Sequence, residues 1–332
     1  MVNHALGTLA VLGAALAPGC GSFQDPNVAV DLRVLAMRAE PADQVLDVDL
    51  TQPVMPAALL AQLVPTEICA LVVDPGAERR LAWSMTLCPL ASNDRCNNPQ
   101  FEIGHGLLDD PDITTPAPRL CATVMPDGNL LAVLIDILQD DTLRGLGGLD
   151  YGIVMRIGGE DGDRDLDLYA TKTLRVSPRI PAQRARNHNP ELTRIDASIG
   201  DAPPVALPLG GCRENSAPYT LPPDTKLRLT PVEPAGVREV YVVPTLDGQS
   251  ETFTESLTYQ WIASAGGYSR GSTGGPRDLS GNPKPLFSDY RSPSTEDLDE
   301  APGQDSNVTL WIIQRDERLG VQWYESCIRV TP

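Results

Sequence analysis

Residues 307–332 read NVTLWIIQRDERLGVQWYESCIRVTP, and this stretch decides the fold. Apolar residues alternate along both of its halves, which flank a turn that ends at Gly320. Alternation with a period of two on both sides of a glycine-containing turn is typical of a β-hairpin. We therefore predict two antiparallel strands in this stretch.

A second, degraded copy of this pattern lies near the middle of the chain. Residues 151–178 read YGIVMRIGGEDGDRDLDLYATKTLRVSP, which is again an alternating segment, a glycine-rich turn and a returning segment. The two copies close on Leu174-Arg-Val-Ser-Pro178 and Ile328-Arg-Val-Thr-Pro332. Such repetition indicates one domain type used twice. The chain of 332 residues is long enough for two domains of ~150 residues, each with its own core.

The composition indicates an acidic, exported protein. The chain contains 26 Lys and Arg against 44 Asp and Glu, which gives a formal net charge of −18. An acidic surface repels phosphate backbones, so nucleic acid is not expected as a partner. Beyond Cys20, the cysteines are even in number, widely spaced and without a Cys-x-x-Cys motif. This pattern favours disulfides in an oxidising compartment over a metal site, and no cofactor is expected.

Three disulfides are the first choice among these cysteines: Cys88–Cys96, Cys69–Cys121 and Cys212–Cys327. The first would close a polar loop. The second would join two apolar, strand-like segments across a sandwich. The four cysteines of the first half allow three connectivities, so other pairings stay open.

The N-terminal segment has the features of an export signal. Residues 1–19 contain no Lys, Arg, Asp or Glu, and their apolar run is too short to span a bilayer. The segment ends Leu16-Ala-Pro-Gly-Cys20, which resembles the bacterial lipoprotein signal. The resemblance implies lipidation of Cys20, with residues 20–27 as a tether and the outer membrane as the site of anchoring, on its periplasmic or surface side. An ordinary cleaved signal peptide is the alternative.

The repeat divides the rest of the chain. We predict a first domain at 28–178, a basic, proline-containing linker at 179–190 and a second domain at 191–332. Trp83 and Trp261 each precede a closing hairpin on an alternating strand, so we expect them in equivalent core positions. The linker has no hydrophobic periodicity, and we expect proteases to cut there or in the loop after Gly271 first.

Few helices are expected in this all-β protein. A proline-bounded apolar segment at 56–65 predicts one short helix, and apolar residues at helical spacing after Gly128 predict a second. The second helix is expected to end near residues 145–148. Residues 266–306 are rich in Gly, Ser, Pro and Asp, and their prolines argue against a hidden helix. We predict a long loop there.

The Trp strand, the closing hairpin and the stretch Tyr259-Gln-Trp261 are together similar to bacterial immunoglobulin-like or PKD-like domains. The mature chain resembles the tandem Ig-like lipoproteins of unknown function encoded in large Gram-negative genomes. The resemblance implies two tandem immunoglobulin-like β-sandwich domains on the cell envelope. It implies no catalytic residues.

Motifs for catalysis are incomplete. Gly267-Tyr-Ser-Arg-Gly271 matches the nucleophile elbow of hydrolases, but no helix pattern and no histidine follow it. We therefore interpret Ser269 as a loop residue. His105 is a single histidine in a loop and is expected to be solvated, not a general base or a zinc ligand.

A calcium site is the one metal hypothesis that the sequence raises. It would use the alternating carboxylates of the first hairpin turn, Asp161, Asp163, Asp165 and Asp167. An EF-hand loop has Gly at its sixth position and Glu at its twelfth, where this chain has Leu166 and Lys172. A solvated hairpin tip is the favoured interpretation.

Aromatic residues of the last hairpin raise a binding hypothesis. Trp311 is out of phase with Leu310 and Ile312, so it would face solvent near Trp323 or Tyr324. Such a patch could stack on sugar rings, and the alternative is that Trp311 covers a sheet edge or the domain junction. We predict a non-catalytic binding, structural or adhesion module of the cell envelope, with envelope proteins or glycans as partners. A secreted carbohydrate-binding protein, or a hydrolase with a carboxylate-based site, is the alternative.

Overall fold

The computed structural model describes residues 25–48, 56–74, 80–90, 96, 101–108, 119–162, 166–212, 215, 217–245, 247–300 and 306–331, with backbone alone for 298–300. The predicted signal peptide and Cys20 lie outside the described residues. No helix within the described ranges is long and apolar enough to cross a membrane.

The first half of the chain folds into two facing sheets. In chain order its elements are β1 (Arg33–Glu40), β2 (Gln44–Leu46), α1 (Pro56–Leu60), β3 (Thr66–Val73), β4 (Leu81–Pro89), β5 (Glu102–Leu108), β6 (Arg119–Val124), α2 (Gly128–Asp140), β7 (Leu149–Gly159) and β8 (Leu168–Pro178). One sheet has the order β1-β3-β6 and the other β2-β8-β7-β4-β5. Ile68, Met85 and Ile153 from both sheets meet in one buried cluster. We call this sheet pair the first sandwich.

The second half also folds into two facing sheets, with a different number of strands. Its elements are β9 (Arg194–Ser198), β10 (Val205–Ala206), β11 (Tyr219–Leu221), β12 (Lys226–Val232), β13 (Val240–Pro244), β14 (Ser250–Thr254), β15 (Thr258–Ala263), β16 (Gly267–Tyr268), β17 (Ser272–Gly274), β18 (Ser288–Arg291), α3 (Thr295–Glu300), β19 (Asn307–Arg315) and β20 (Val321–Val330). The sheets have the orders β10-β9-β12-β18-β16 and β11-β20-β19-β15-β17, with β13-β14 as a separate hairpin. Leu229, Trp261 and Tyr290 from both sheets share a buried cluster, and we call this pair the second sandwich.

The sequence repeat has a structural counterpart. Each closing hairpin lies between a Trp-bearing strand and a short parallel strand, β2 beside β8 and β11 beside β20. The arginine of each closing signature lies opposite the second or first residue of the outgoing strand: Arg175 faces Asp150 and Arg329 faces Asn307. Arg175 Nε donates to Asp150 Oδ1 at 2.5 Å, and Arg329 Nε donates to Asn307 Oδ1 at 3.2 Å. The repeated arginine therefore ties each hairpin together across its open end.

The two tryptophans occupy matching strands but differ in burial. Trp261 is fully buried, and its indole N–H donates to Thr273 Oγ1 at 2.8 Å. Trp83 is only half-buried, because the neighbouring strand β5 is an edge strand with glycines beneath the ring. A Cβ added to Gly106 would lie 3.0 Å from Trp83 Nε1. The expectation of equivalent core positions is therefore right for the strand and wrong for the burial.

Helix α2 begins at a defined capping signal and ends earlier than expected. The Asp127 side chain caps it by accepting from the backbone N–H groups of Asn129 and Leu130. The helix ends at Asp140, before the predicted end near residues 145–148. Its buried residues Leu130, Val133 and Leu134 pack against the first core.

The prediction of one long loop at 266–306 is wrong. The segment contains β16, β17, β18 and α3. Only Ser294 separates Pro293 from the first residue of α3. Ser294 Oγ accepts from Asp297 N at 3.1 Å, while Ser294 N donates to Asp297 Oδ2 at 2.9 Å. This reciprocal capping box satisfies the backbone groups that begin a helix. Ser294-Thr-Glu-Asp297 was the sequence signal that could have revealed it.

All three predicted disulfides are present: Cys69–Cys121, Cys88–Cys96 and Cys212–Cys327. One of them lies elsewhere than expected. Cys69 and Cys121 are directly opposite each other on the neighbouring strands β3 and β6, so their bridge joins two strands of one sheet and not the two sheets. The expected bridge between the two sheets is wrong because the two segments are hydrogen-bonded neighbours in the same sheet.

Candidate functional site: the junction between the two sandwiches

A third apolar cluster joins the two sandwiches. It contains Trp311 and Trp323 from the last hairpin together with Leu35, Leu71 and Val73 from β1 and β3. Trp311 is fully buried and Trp323 is 5% exposed. The outer face of the last hairpin therefore packs on the outer face of the β1-β3-β6 sheet.

The prediction of an exposed aromatic patch at Trp311 and Trp323 is wrong, and the alternative, that Trp311 covers the junction of the two halves, is confirmed. The alternation placed Trp311 on the outer face of its sheet, which is correct, but that face is covered by the first sandwich. Tyr324 points the other way and packs against the second core. Its hydroxyl accepts from Leu192 N at 2.7 Å, and burial raises its pKa to about 12. None of the three rings forms a free stacking surface.

Polar contacts surround the apolar cluster. Arg38 Nη1 of β1 donates to Gln322 Oε1 of β20 at 3.0 Å. Arg315 Nη2 of β19 donates to Leu35 O of β1 at 3.2 Å. Lys172 Nζ of β8 donates to Leu319 O in the turn of the last hairpin, and burial lowers the pKa of Lys172 to about 8. Each of these bonds crosses from one sandwich to the other.

The predicted linker is bound to both sandwiches. Asn187 is buried, its N–H donates to Asp43 Oδ1 at 2.7 Å, and its Nδ2 donates to Asp316 Oδ2 at 3.1 Å. Asn189 Nδ2 donates to Ala39 O at 2.7 Å, while its Oδ1 accepts from Val321 N at 2.9 Å. Asn187, through its backbone N–H and its side chain, and Asn189, through its side chain, thus bridge the first sandwich and the last hairpin.

The segment before β1 also crosses the junction. Ala29 N donates to Ala263 O at 2.8 Å, and Ala263 N donates to Asn27 O at 2.9 Å. Val28 and Ala29, which the sequence assigns to the first domain, therefore pair with β15 of the second sandwich. Residues just before β1 thus pair with the second sandwich, and the chain then continues into the first.

Buried charges lie under the linker. Arg318 Nη1 lies 3.1 Å from Glu255 Oε1 and 3.2 Å from Glu239 Oε2. Burial, and then repulsion by Asp316, raises the pKa of Glu255 to about 7 in spite of the nearby arginine. Burial also raises the pKa of Asp43 and that of Asp316. Shifted carboxylates are typical of catalytic sites and of structural ion-pair networks. Here the Glu255 side chain is 1% exposed, so a substrate has no access to it in this conformation.

The predicted calcium ligands are only partly described. Asp163 and Asp165 lie outside the described residues. Asp161 is exposed at the hairpin tip. Asp167 instead forms an ion pair with Arg156, with 3.1 Å between Oδ2 and Nη1.

A cluster of one glutamate and two cysteines does not form a metal site while the cysteines are oxidised. Within the described ranges, the group of three with metal-ligand spacing is Glu67, Cys69 and Cys121. Its two sulfur atoms are joined in a disulfide, so neither is available as a thiolate.

The remaining motif residues have local roles. Ser269 is exposed between β16 and β17, and its Oγ accepts from Asp289 N at 3.1 Å. No helix follows it before β17, in agreement with the loop interpretation. His105 is 75% exposed and lies 2.7 Å from Glu102 Oε1. His105 lies on the edge strand β5, so its expected place in a loop is wrong, whereas Ser269 lies in the turn between β16 and β17.

Comparisons with known solved structures give only remote similarities. No protein-family model matches the chain, and no curated protein matches it. Dimeric latent PorU from Porphyromonas gingivalis is similar over 91% of this chain and 24% of its own, at 7% identity and a TM-score of 0.19. The tandem V-type regions of VCBP3, a v-region-containing chitin binding protein, match over 89% and 99%, at 9% identity and 0.20. The human desmocollin-1 ectodomain matches over 89% and 40%, at 9% identity and 0.18.

The chain thus spans about a quarter of the length of PorU and two fifths of the desmocollin-1 ectodomain. Similarity at this level transfers no ligand or activity. The sheets themselves define the class, which is a mostly β protein of facing sheets with internal disulfides.

Proposed function

We propose that this protein is a non-catalytic module of the cell envelope, in which two tandem Ig-like domains form one rigid spacer behind a lipid anchor at Cys20. The observation that carries the proposal is the apolar junction centred on Trp311. Domains joined by a small polar interface move relative to each other, whereas a hydrophobic interface holds them together. A rigid spacer presents its far end at a set distance from the membrane.

The anchor and the compartment rest on separate support. The ending Leu16-Ala-Pro-Gly-Cys20 has the lipoprotein pattern, and three disulfides suit an oxidising compartment. Partners of the spacer are envelope proteins or glycans. The carbohydrate-binding alternative loses its main argument, since Trp311 and Trp323 are buried.

Fractionation of Cys20→Ser tests the anchor. The wild type should partition with membranes and incorporate labelled palmitate, and the variant should do neither. Membrane partition that the substitution leaves unchanged would contradict the proposal.

Small-angle X-ray scattering tests the spacer. The wild type should fit a single conformation, and Trp311→Asp, which places a charge in the junction, should widen the distance distribution while Val240→Asp, at an exposed position, should not. A wild type that already samples many relative orientations would show that the halves are flexibly linked.

A further inference from the structure

An apolar groove of about 460 Å³ opens at one end of the first sandwich. Its walls are α1, α2 and the loop that follows α2, and its floor is formed by Leu46 of β2 and Val176 of β8. Small-molecule sites in proteins usually have volumes of roughly 300–1,000 Å³ and mostly apolar linings. The groove has the size and the lining of a ligand site.

Helix α2 has more apolar surface than its core contacts require. Leu130, Val133 and Leu134 face the core. A second stripe, Leu131, Ile135 and Leu138, lines the groove, which Leu134 also reaches from the core side. At 3.6 residues per turn the two stripes together cover about 200° of the helix, whereas a helix packed on one side needs a stripe of ~100°. The side chains of the second stripe therefore face the open groove, and Ile135 and Leu138 stay 39% and 40% exposed there.

One cation marks the rim of the groove. Among the described lining residues, Arg144 is the single charged side chain. Its loop is held by Asp141, whose Oδ1 accepts from Leu143 N at 3.1 Å and whose Oδ2 accepts from Gly145 N at 2.5 Å. No described carboxylate forms an ion pair with Arg144. In a chain with a net charge of −18, a positioned cation beside an apolar groove favours an anionic head group on an apolar ligand.

We propose that this groove binds a single-chain anionic amphiphile, with its alkyl chain along Leu131, Ile135 and Leu138 and its carboxylate at Arg144. The stripe from Leu131 to Leu138 is about 10 Å long at 1.5 Å per residue, which suits an extended alkyl chain. The site lies on the first sandwich, apart from the junction, and does not depend on the spacer function.

Calorimetric titration of the whole mature protein with fatty acids below their micelle concentrations tests the proposal. Octanoate, decanoate and dodecanoate should bind with one site, and each added methylene should tighten Kd about fourfold until the groove is full. Ile135→Asp and Leu138→Asp should weaken dodecanoate binding at least tenfold. These side chains are 39% and 40% exposed, so the folds should persist, and Val240→Asp is the matched control on the second sandwich.

The head group is tested separately. Arg144→Gln should weaken dodecanoate binding about tenfold, as loss of a charge-assisted hydrogen bond does, and should leave the affinity for dodecanol unchanged. Arg277→Gln, an exposed arginine in a distant loop, is the control. This pair of ligands keeps the test valid even if an aspartate variant fails to fold.

Other occupants give different results, and each would overturn the proposal. No dodecanoate binding, or equal binding by the Ile135 and Leu138 variants, removes the site. A wild-type dimer that Ile135→Asp converts to a monomer assigns the groove to a second copy. Cosedimentation with phosphatidylglycerol vesicles without dodecanoate binding assigns it to a bilayer. Binding that appears only after apolar residues of 49–55 are replaced by serine assigns it to this chain's own segment.

Discussion

The guanidinium of Arg38 in β1 lies over the indole ring of Trp323 in β20, 5.4 Å from the ring centre. The same arginine donates to Gln322, so one side chain of the first sandwich holds two neighbours of the second. A cation over a tryptophan contributes about 0.5–1 kcal/mol when exposed and about 2 when desolvated. The junction is therefore specified in register as well as covered by apolar surface.

Trp311 should couple the unfolding of the two halves. We expect the wild type to unfold in one cooperative transition with urea. Trp311→Ala should lower the free energy of unfolding by about 3–5 kcal/mol and separate two transitions, because it removes the centre of the shared cluster. Trp311→Phe is the matched control, since it keeps an aromatic ring and removes an indole N–H that has no acceptor among the described residues. Two transitions in the wild type would show that the junction does not couple them.

The linker should resist proteolysis. Arg184 and Arg186 are half-buried, and Arg184 Nη2 donates to Ser177 Oγ at 2.9 Å. We therefore expect trypsin to cut the exposed loop at Arg277 first, which agrees with one of the two sites that the sequence suggested. Asn187→Ala should speed cleavage in the linker, because it removes the side-chain bond to Asp316. Rapid cleavage of the wild type at Arg184 would contradict this view of the junction.

Glu255 should make stability depend on pH. Its folded pKa of about 7 lies above its ordinary value of 4.5, so its stabilising contribution is complete below pH 4.5 and is lost as the pH rises through 7. Between pH 5 and 8 the wild type should lose up to ~3 kcal/mol relative to Glu255→Gln, since one pKa unit corresponds to about 1.4 kcal/mol. Urea titrations at both pH values measure the difference. Glu251→Gln, at an exposed position on β14, should follow the wild type, and parallel pH profiles for Glu255→Gln and the wild type would refute the prediction.

The disulfide at Cys212 should contribute most to stability. It joins residues 115 positions apart, and closing a loop of about 100 residues stabilises by up to ~4.7 kcal/mol on the chain-entropy estimate. Cys212→Ser with Cys327→Ser should destabilise more than the pair Cys88→Ser and Cys96→Ser, whose loop spans 8 residues. Thiol titration of the denatured, unreduced wild type should find no reactive thiol in the residues after Cys20. Two or more thiols would contradict the pairing.

The two matching tryptophans should differ in their effect on stability. Trp261→Ala removes a fully buried ring and a hydrogen bond, and should cost about 3–5 kcal/mol. Trp83→Ala removes a half-buried ring and should cost less than half as much, as measured by urea denaturation. The part of the tryptophan fluorescence that a soluble quencher reaches should disappear in Trp83→Phe, since Trp261, Trp311 and Trp323 are buried. Equal costs would mean that Trp83 is buried in solution.

The sequence by itself determined the features that depend on local periodicity and spacing. Alternation around a turn predicted both closing hairpins, and the structure shows antiparallel hairpins at both places. Cysteine spacing was enough to propose the three disulfide pairs. The helix α3 was missed because proline content outweighed the capping box at Ser294, although that signal is also local.

Only the tertiary structure decided what covers each face. Alternation shows that Trp311 points away from the core of its own sandwich. The same pattern describes a residue that faces water, so alternation does not distinguish a covered outer face from an exposed one. Whether that outer face is exposed depends on where the β1-β3-β6 sheet docks, which involves residues hundreds of positions away, such as Arg38. The same holds for Asn187. The sequence places it in a linker without hydrophobic periodicity, whereas in the structure it is hydrogen-bonded to Asp43 of the first sandwich and Asp316 of the second. Period and propensity act within one segment, whereas burial at a junction is a property of two surfaces that meet.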